Sequence, residues 1–415
     1  VAASVMARIP EVEPATPSDA DQEWADPAPR LLTIEERLRS GDPKGALYRL
    51  FELLQRWPTH RAGLELAAQV TGQLGAGDEA VLFSRVAADP TDPQALYDLG
   101  YLFVGSGFPA VAVGFLRLCL QREPGHPLVR YELAYALFSV GDYEDALELL
   151  DALLQDAALA AAETFSAAAL RVECLVYLDR LTEAQQAFDD IDLRNAGAEG
   201  EAQVDALAAL ISRAKVLAQH TPRSQRDWHF IEHGSAILHT TQHSSQMWLP
   251  ATLSNAYLAA MLRRLESFVL ALGRPAQAVQ ALDREMEPFA KVLATRLSAQ
   301  FLPSGTATQE PVLLLAREPG SLARHLGRLR TREDGEDVFC LFLDPRRDYP
   351  ITPEIVGVFA ADLGLPWTPG DPAASADLLD CVLQLDGDDG DLMVVDRYYS
   401  AVQELLTYGN YDRHP

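Results

Sequence analysis

Lysine, cysteine and long apolar runs are all scarce in this chain. Three of 415 residues are lysine (Lys44, Lys215 and Lys291), against 31 arginines. Together these 34 cations are outnumbered by 60 Asp and Glu, for a formal net charge of −26. A field of that sign repels phosphate backbones and anionic headgroups, so neither nucleic acid nor a membrane surface is an expected partner. The four cysteines (Cys119, Cys174, Cys340 and Cys381) stand singly, without CxxC spacing. That excludes a disulfide framework or a cysteine zinc site and fits a reducing compartment. No apolar run approaches the roughly 18 residues of a membrane span, and no basic stretch leads into an apolar one at the N-terminus. The expected location is the cytoplasm. No GxSxG elbow, P-loop or HExxH occurs, so the commonest local signatures of serine hydrolases, nucleotide hydrolases and zinc peptidases are missing. The arginine bias, with abundant Ala and Leu, points to a GC-rich bacterial genome.

Apolar residues make up 48% of the chain and charged ones 23%, a balance that supplies cores for two or three domains. Residues 1–26 differ: Pro10, Pro14 and Pro17 alternate with Glu11, Glu13, Asp19, Asp21, Glu23 and Asp26. Low hydrophobicity with one sign of charge predicts a disordered acidic tail.

Self-similarity begins at about residue 27. In residues 127–160, Leu133, Ala134, Leu137, Gly141, Tyr143, Ala146, Leu150 and Leu153 are spaced for a helix, a tight turn and an antiparallel helix. The 34 residues from Pro93 place Leu99, Gly100, Phe103, Gly107, Ala112, Leu116 and Pro124 in the same slots. Further copies start near 27, 61 and 165. Small residues let paired helices approach, large ones fill the remaining space, and Pro58, Pro90 and Pro124 stop each second helix. The pattern resembles the tetratricopeptide repeat family across 27–192, although Leu96 and Arg130 occupy slots where that family often has Trp. The resemblance implies an α-solenoid of stacked hairpins. Helical periodicity in 200–219, 225–240, 251–272 and 271–282 extends the expectation, with repeats over 27–196 and further helical pairs over 197–300.

After about residue 302 strand-like runs appear at 311–316, 337–343, 378–385 and 391–395. Helical patterns lie at 321–330, 352–364 (capped by Thr352) and 399–409, and a Gly-Asp-Asp-Gly hairpin turn at 387–390. Residues 303–415 therefore read as a small α/β domain. The predicted fold class is mainly α: a repeat solenoid followed by that domain.

Two sets of residues carry functional expectations. On the first helices of successive hairpins, Tyr97, Tyr101, Tyr131, Tyr135 and Phe138, with Glu173 and Tyr177 in the next unit, form a stripe at i, i+4 spacing. Such a stripe suits an extended peptide or a partner helix in a groove. The same stripe is also what helix-on-helix packing produces. The family's best-known groove variant clamps a C-terminal carboxylate with Lys, Arg and Asn. Those residues are absent here, and the acidic excess favours a basic partner instead.

The second set lies in WHFIEHG at 228–234. His229 and His233 share a helix face and could reach one zinc ion, with Glu232 beside them to polarise water. The His-x-x-Glu-His order resembles the inverted zincin peptidases, which implies a further downstream carboxylate; Glu310 stands at a suitable separation. A histidine-rich polar face, with His239 and His243 nearby, is the plainer interpretation. GAGDEA at 75–80 joins two helices and lacks the strand that a nucleotide fingerprint needs. Asp386, Asp388, Asp389 and Asp391 match a calcium loop incompletely. Asp344, Asp386 and Asp396 mark strand ends where a cation could assist chemistry. The leading expectation is a protein- or peptide-binding adaptor without a cofactor. The alternatives are a zinc hydrolase at His229/Glu232/His233 and a regulator whose C-terminal domain senses a small molecule.

Overall fold

The structure is a computed structural model that describes residues 26–155, 161–191, 197–218, 223–239, 252–273, 276–306, 312–330, 337–344, 349, 351–360 and 363–385. Chain contacts divide it into two compact units, 1–204 and 205–415. Residues 1–25 of the tail predicted over 1–26, the Gly-Asp-Asp-Gly turn, and the elements expected at 391–395 and 399–409 lie outside the described residues.

The first unit is a series of helical hairpins. Its helices are α1 (Ala28–Arg39), α2 (Pro43–Arg56), α3 (Arg61–Gln73), α4 (Gly77–Ala88), α5 (Pro93–Gly105), α6 (Pro109–Arg122), α7 (Pro127–Ser139), α8 (Tyr143–Leu154), α9 (Ala161–Tyr177) and α10 (Leu181–Asp189). Each odd-numbered helix pairs with the even one that follows, and four of these turns pivot on glycine at positive φ: Gly41 (84°), Gly75 (84°), Gly107 (80°) and Gly141 (83°). Only glycine enters that region without a Cβ penalty. The fifth turn uses Asp179 at φ 59°, a residue type that tolerates the left-handed region. Side chains of Asp42 and Asp92 cap α2 and α5 by accepting the backbone N–H of Gly45 and Gln94.

Within the third hairpin α5 and α6 approach so closely that a Cβ on Gly100 would stand 2.7 Å from Leu116 Cγ. The core around it is aromatic: Phe51 of α2 lies 5.1 Å from Phe103 and 5.0 Å from Phe108, and Phe103 stacks at 5.7 Å on Phe115. Phe51 thereby carries α2 past the second hairpin onto α6, where Pro58 packs against Gly114. In an ideal solenoid each repeat touches only its neighbours; here the first and third hairpins touch directly.

The second unit is organised by a sheet. Helix α11 (Gly197–Val216) spans the division between the units. Then follow α12 (Gln225–His233), β1 (Ala236–Ile237), α13 (Asn255–Ala271), β2 (Ala278–Ala281), α14 (Glu287–Arg296), β3 (Gln300–Leu302) and β4 (Val312–Ala316). The short helices α15 (Pro319–Leu322) and α16 (Leu326–Arg330) precede β5 (Val338–Leu343), β6 (Ile355–Phe359) and α17 (Ala374–Gln384). All strand pairs are parallel, in the order β1-β6-β5-β4-β2-β3. Strands β4, β5 and β6 are buried along their whole length, as parallel strands covered on both faces must be. On one face Val312, Leu314, Val338 and Cys340 join Leu322 and Leu329 of the short helices. Phe339, one residue out of phase, points the other way and stacks at 5.8 Å on Phe289 of α14.

The mainly α class, with hairpins followed by a small α/β part, is the architecture found. Three local expectations are corrected. Within 352–364, where a helix capped by Thr352 was expected, Ile355–Phe359 form β6; Ile355, Val356, Val358 and Phe359 satisfy either period, and burial on both sides selects the strand. Residues 378–385 belong to α17, not to a strand, because Ala374, Leu378 and Val382 recur every four residues on its buried face. Residues 197–300 do not continue as helical pairs throughout, since β1, β2 and β3 lie there and join the sheet. Among the described residues no helix is long and apolar enough to cross a membrane.

Two alanine substitutions in one helix separate close packing from helix propensity. Gly100→Ala is expected to destabilise the chain by about 1–3 kcal/mol through overpacking against Leu116. Gly105→Ala, with open space around its Cβ position, is expected to be neutral or to stabilise by up to about 1 kcal/mol. Denaturant titration of both variants checks the pair.

Candidate functional site

In the hairpin series the odd-numbered helices α5, α7 and α9 lie side by side. Counted from the left-handed turn residues Gly107, Gly141 and Asp179, the same helical slots hold Tyr97 and Tyr101 on α5, Tyr131 and Tyr135 on α7, and Ala169 and Glu173 on α9. Residues four apart on a helix share a face, so the hairpin period sets these side chains in rows.

Tyr101 and Tyr135 are 54% and 42% exposed, unusually open for large rings. Tyr97 is half-buried and stacks on Tyr101 with centroids 6.0 Å apart and planes at 20°. Burial pushes its hydroxyl up to about 12, and Glu132 and Tyr101 add to the effect. Tyr131 is also raised, mainly by burial, and its hydroxyl hydrogen-bonds with Ser166 of α9. Two of the expected groove residues serve packing: Phe138 meets Tyr143 and Tyr177 edge-on at 5.5 Å each, and Tyr143 stacks on Tyr177 at 4.7 Å. This trio ties α7, the start of α8 and the end of α9 together.

Glu173 is the unusual member. Burial raises its carboxyl to about 7, and no cation among the described residues counters it. Glu132, one helix away, is raised for the same reason. Sequence reading did not single out Glu132 or Ser166; the adjacency of Glu132 to Tyr131 was the one signal available.

On the other side of α9 a cavity of about 440 Å³ opens among Asp151, Phe165, Ala168, Arg171, Asp190 and Ile191. Its cation is already matched, Arg171 Nε donating to Asp151 Oδ1 at 2.5 Å.

In the second unit α12 places His229 and His233 on one face, with ring centroids 4.6 Å apart. His229 is buried edge-on against Phe359 at 5.1 Å, and its Nε2 finds no hydrogen-bond partner among the described residues. Burial, then the neighbouring His233, pushes His229 down to about 3. His233 is lowered by burial and by Arg213. Arg213 donates to the carbonyls of Ile231 and Glu232 at 2.7 and 2.9 Å and so closes the C-terminal end of the helix. Glu232 Oε2 lies 3.6 Å from His233 Nε2. Glu310, His243 and the aspartates from 386 onward lie outside the described residues. Among the described residues no group of three His, Cys, Asp or Glu side chains is arranged to hold a metal ion. Asp344 follows β5 and is buried.

Strand order reverses between β2 and β4, because the chain leaves β2 outward to β3 and returns on the opposite side. The carboxyl ends of strands at such a point form a crevice where α/β proteins commonly take ligands. Here Asp283 accepts the Arg317 backbone N–H at 2.9 Å and Arg324 Nη2 at 3.3 Å. Arg317 also donates to Glu285 Oε2 at 3.1 Å and to the Leu363 carbonyl at 2.9 Å. Trp367 Nε1 donates to the Glu285 carbonyl at 2.8 Å.

A family model described as tetratricopeptide repeat matches residues 103–168. These residues run from the end of α5 into α9 and include Tyr131 and Tyr135. The match supports repeats of this family, a type that serves as a scaffold for protein interaction, within residues 103–168. A search of curated proteins finds no match to the chain.

The raised carboxyl of Glu173 fixes a sign for the effect of pH on stability. The folded chain holds this proton more tightly than an unfolded chain, whose glutamates titrate near 4.5. This contribution to stability therefore falls as pH rises from about 4.5 to about 7 and then levels off. Glu173→Gln is expected to stabilise the fold by about 1–3 kcal/mol above pH 7, with the gain vanishing toward acid pH. Denaturant midpoints measured across that range check it.

Proposed function

We propose that this chain, whose N-terminal part is built of tetratricopeptide repeats, works as an adaptor that takes a partner protein on the face of α5, α7 and α9. The observation that carries this reading is the exposure of Tyr101 and Tyr135 in equivalent slots of adjacent repeats. Tyrosine offers a flat apolar contact with a hydrogen-bonding tip and few rotatable bonds, a combination enriched at recognition surfaces. Rings needed for packing sit elsewhere, in the Phe51 cluster and in the Phe138, Tyr143 and Tyr177 trio. A rigid face of this kind suits an extended peptide segment or a helix. The sheet unit would then supply the adaptor's second surface.

The combined Tyr101→Ala and Tyr135→Ala variant is expected to lose partners captured from native lysate by the full chain. Its thermal midpoint should stay within about 2 °C of the parent, since neither ring fills the core. Unchanged capture, or unfolding of the double variant, contradicts the reading.

A second reading, small-molecule sensing by residues 205–415, draws support from the reversal of strand order between β2 and β4. A compound that raises the thermal midpoint of the full chain and loses that effect in Asp283→Asn supports it. A shift that persists in the variant places the compound elsewhere.

A further inference from the structure

Several carboxylates in the hairpin series are answered by arginine: Asp98 by Arg85 at 2.6 Å, Asp145 by Arg117 at 2.9 Å, Asp151 by Arg171 at 2.5 Å and Glu183 by Arg180 at 2.5 Å. Glu132 and Glu173, on the odd-numbered helices, have no such partner among the described residues, although both are partly withdrawn from water. Glu132 acts electrostatically on the hydroxyls of Tyr97 and Tyr131, and Glu173 on that of Tyr131. Two unanswered carboxylates thus stand among tyrosine rings whose outer members, Tyr101 and Tyr135, are open to solvent. A carboxylate removed from water without a counter-charge destabilises its protein, and a cation that supplies the counter-charge recovers that free energy on binding.

We propose that the α5–α7–α9 face binds an arginine side chain presented by an extended segment of the partner protein, with its guanidinium against the exposed tyrosines and toward Glu173 and Glu132. This rests on the reading of that face as the partner surface and adds the chemical class of what it takes. Arginine fits better than lysine: its planar guanidinium lies flat on aromatic rings and forks onto a carboxylate, and it sheds water more readily than an ammonium group. The net charge of −26 draws a cationic segment toward the chain at long range, but it is the partial burial of these unanswered carboxylates that sets this face apart from the rest of an acidic surface.

Fluorescence anisotropy with the full chain near physiological ionic strength tests the proposal. The probe is a labelled, extended Gly/Ser peptide carrying two arginines, compared with versions carrying lysine, citrulline or glutamate instead. Saturable binding is expected for the arginine peptide, several-fold weaker binding for lysine, and none for citrulline or glutamate. Glu173→Gln should weaken the arginine peptide by about tenfold, the size of one charge-assisted hydrogen bond. Glu148→Gln, the same loss of charge at an exposed position on α8, should leave it unchanged. Equal binding of arginine and citrulline peptides, or equal effects of the two Glu→Gln variants, overturns the proposal. If every peptide fails while lysate capture still depends on Tyr101 and Tyr135, the choice of a cationic guest is wrong and the surface stands. If the tyrosine variant changes neither, the surface reading itself has failed.

Discussion

Close approach of the two helices in each hairpin is the constraint on which the N-terminal half depends. At Gly100 the backbone of α5 comes so near Leu116 that no side chain fits between them, and left-handed residues at 41, 75, 107, 141 and 179 return the chain at matching points in each unit. Because the units repeat, residues in equivalent slots come into register on neighbouring odd-numbered helices. A tyrosine that would be unremarkable on one helix becomes part of a surface when the next helix carries another at the same height. The period that builds the core therefore also builds the face.

That face breaks rules which the rest of the unit obeys. Phe51, Phe83, Phe103 and Phe115 are buried in one aromatic cluster, and several charges between helices are neutralised in pairs. On α5, α7 and α9 two rings are left open and two carboxyl groups lie partly buried with no cation beside them among the described residues. Local departures of this kind lower stability and tend to be kept where a surface is used. The sheet unit shows the opposite behaviour at its order reversal, where Arg317, Asp283, Glu285 and Arg324 satisfy one another.

Much of the hairpin series was legible because its signals are local. Glycine at the turns, small residues at helix crossings and proline after the second helices of the first three hairpins each have one dominant physical cause. The aspartate at 179 kept its place in the pattern because the turn tolerates it. The sheet unit was harder to read. Ile355, Val356, Val358 and Phe359 suit a helix face as well as a strand, and only the neighbouring strands decide between them. Residues 378–385 looked like a strand because Leu and Val crowd together, while the helix depends on Ala374, just outside that window. For the candidate site, spacing identified the tyrosines. It could not separate Tyr101 and Tyr135, which face solvent, from Phe138 and Tyr177, which turn toward Tyr143. That no cation among the described residues stands beside Glu173 is a property of three dimensions alone.

Photo-crosslinking tests the central claim most directly. A benzophenone side chain in place of Leu128, which is partly exposed on the first turn of α7 in the row beside Tyr131 and Tyr135, reports what sits on the odd-helix face. The same group at Glu148 on α8 reports the opposite side of the hairpins. If the face is the partner surface, a protein cross-links at 128 and not at 148, and the attached fragment carries an arginine. Cross-linking at 148 alone, or equally at both positions, would contradict it.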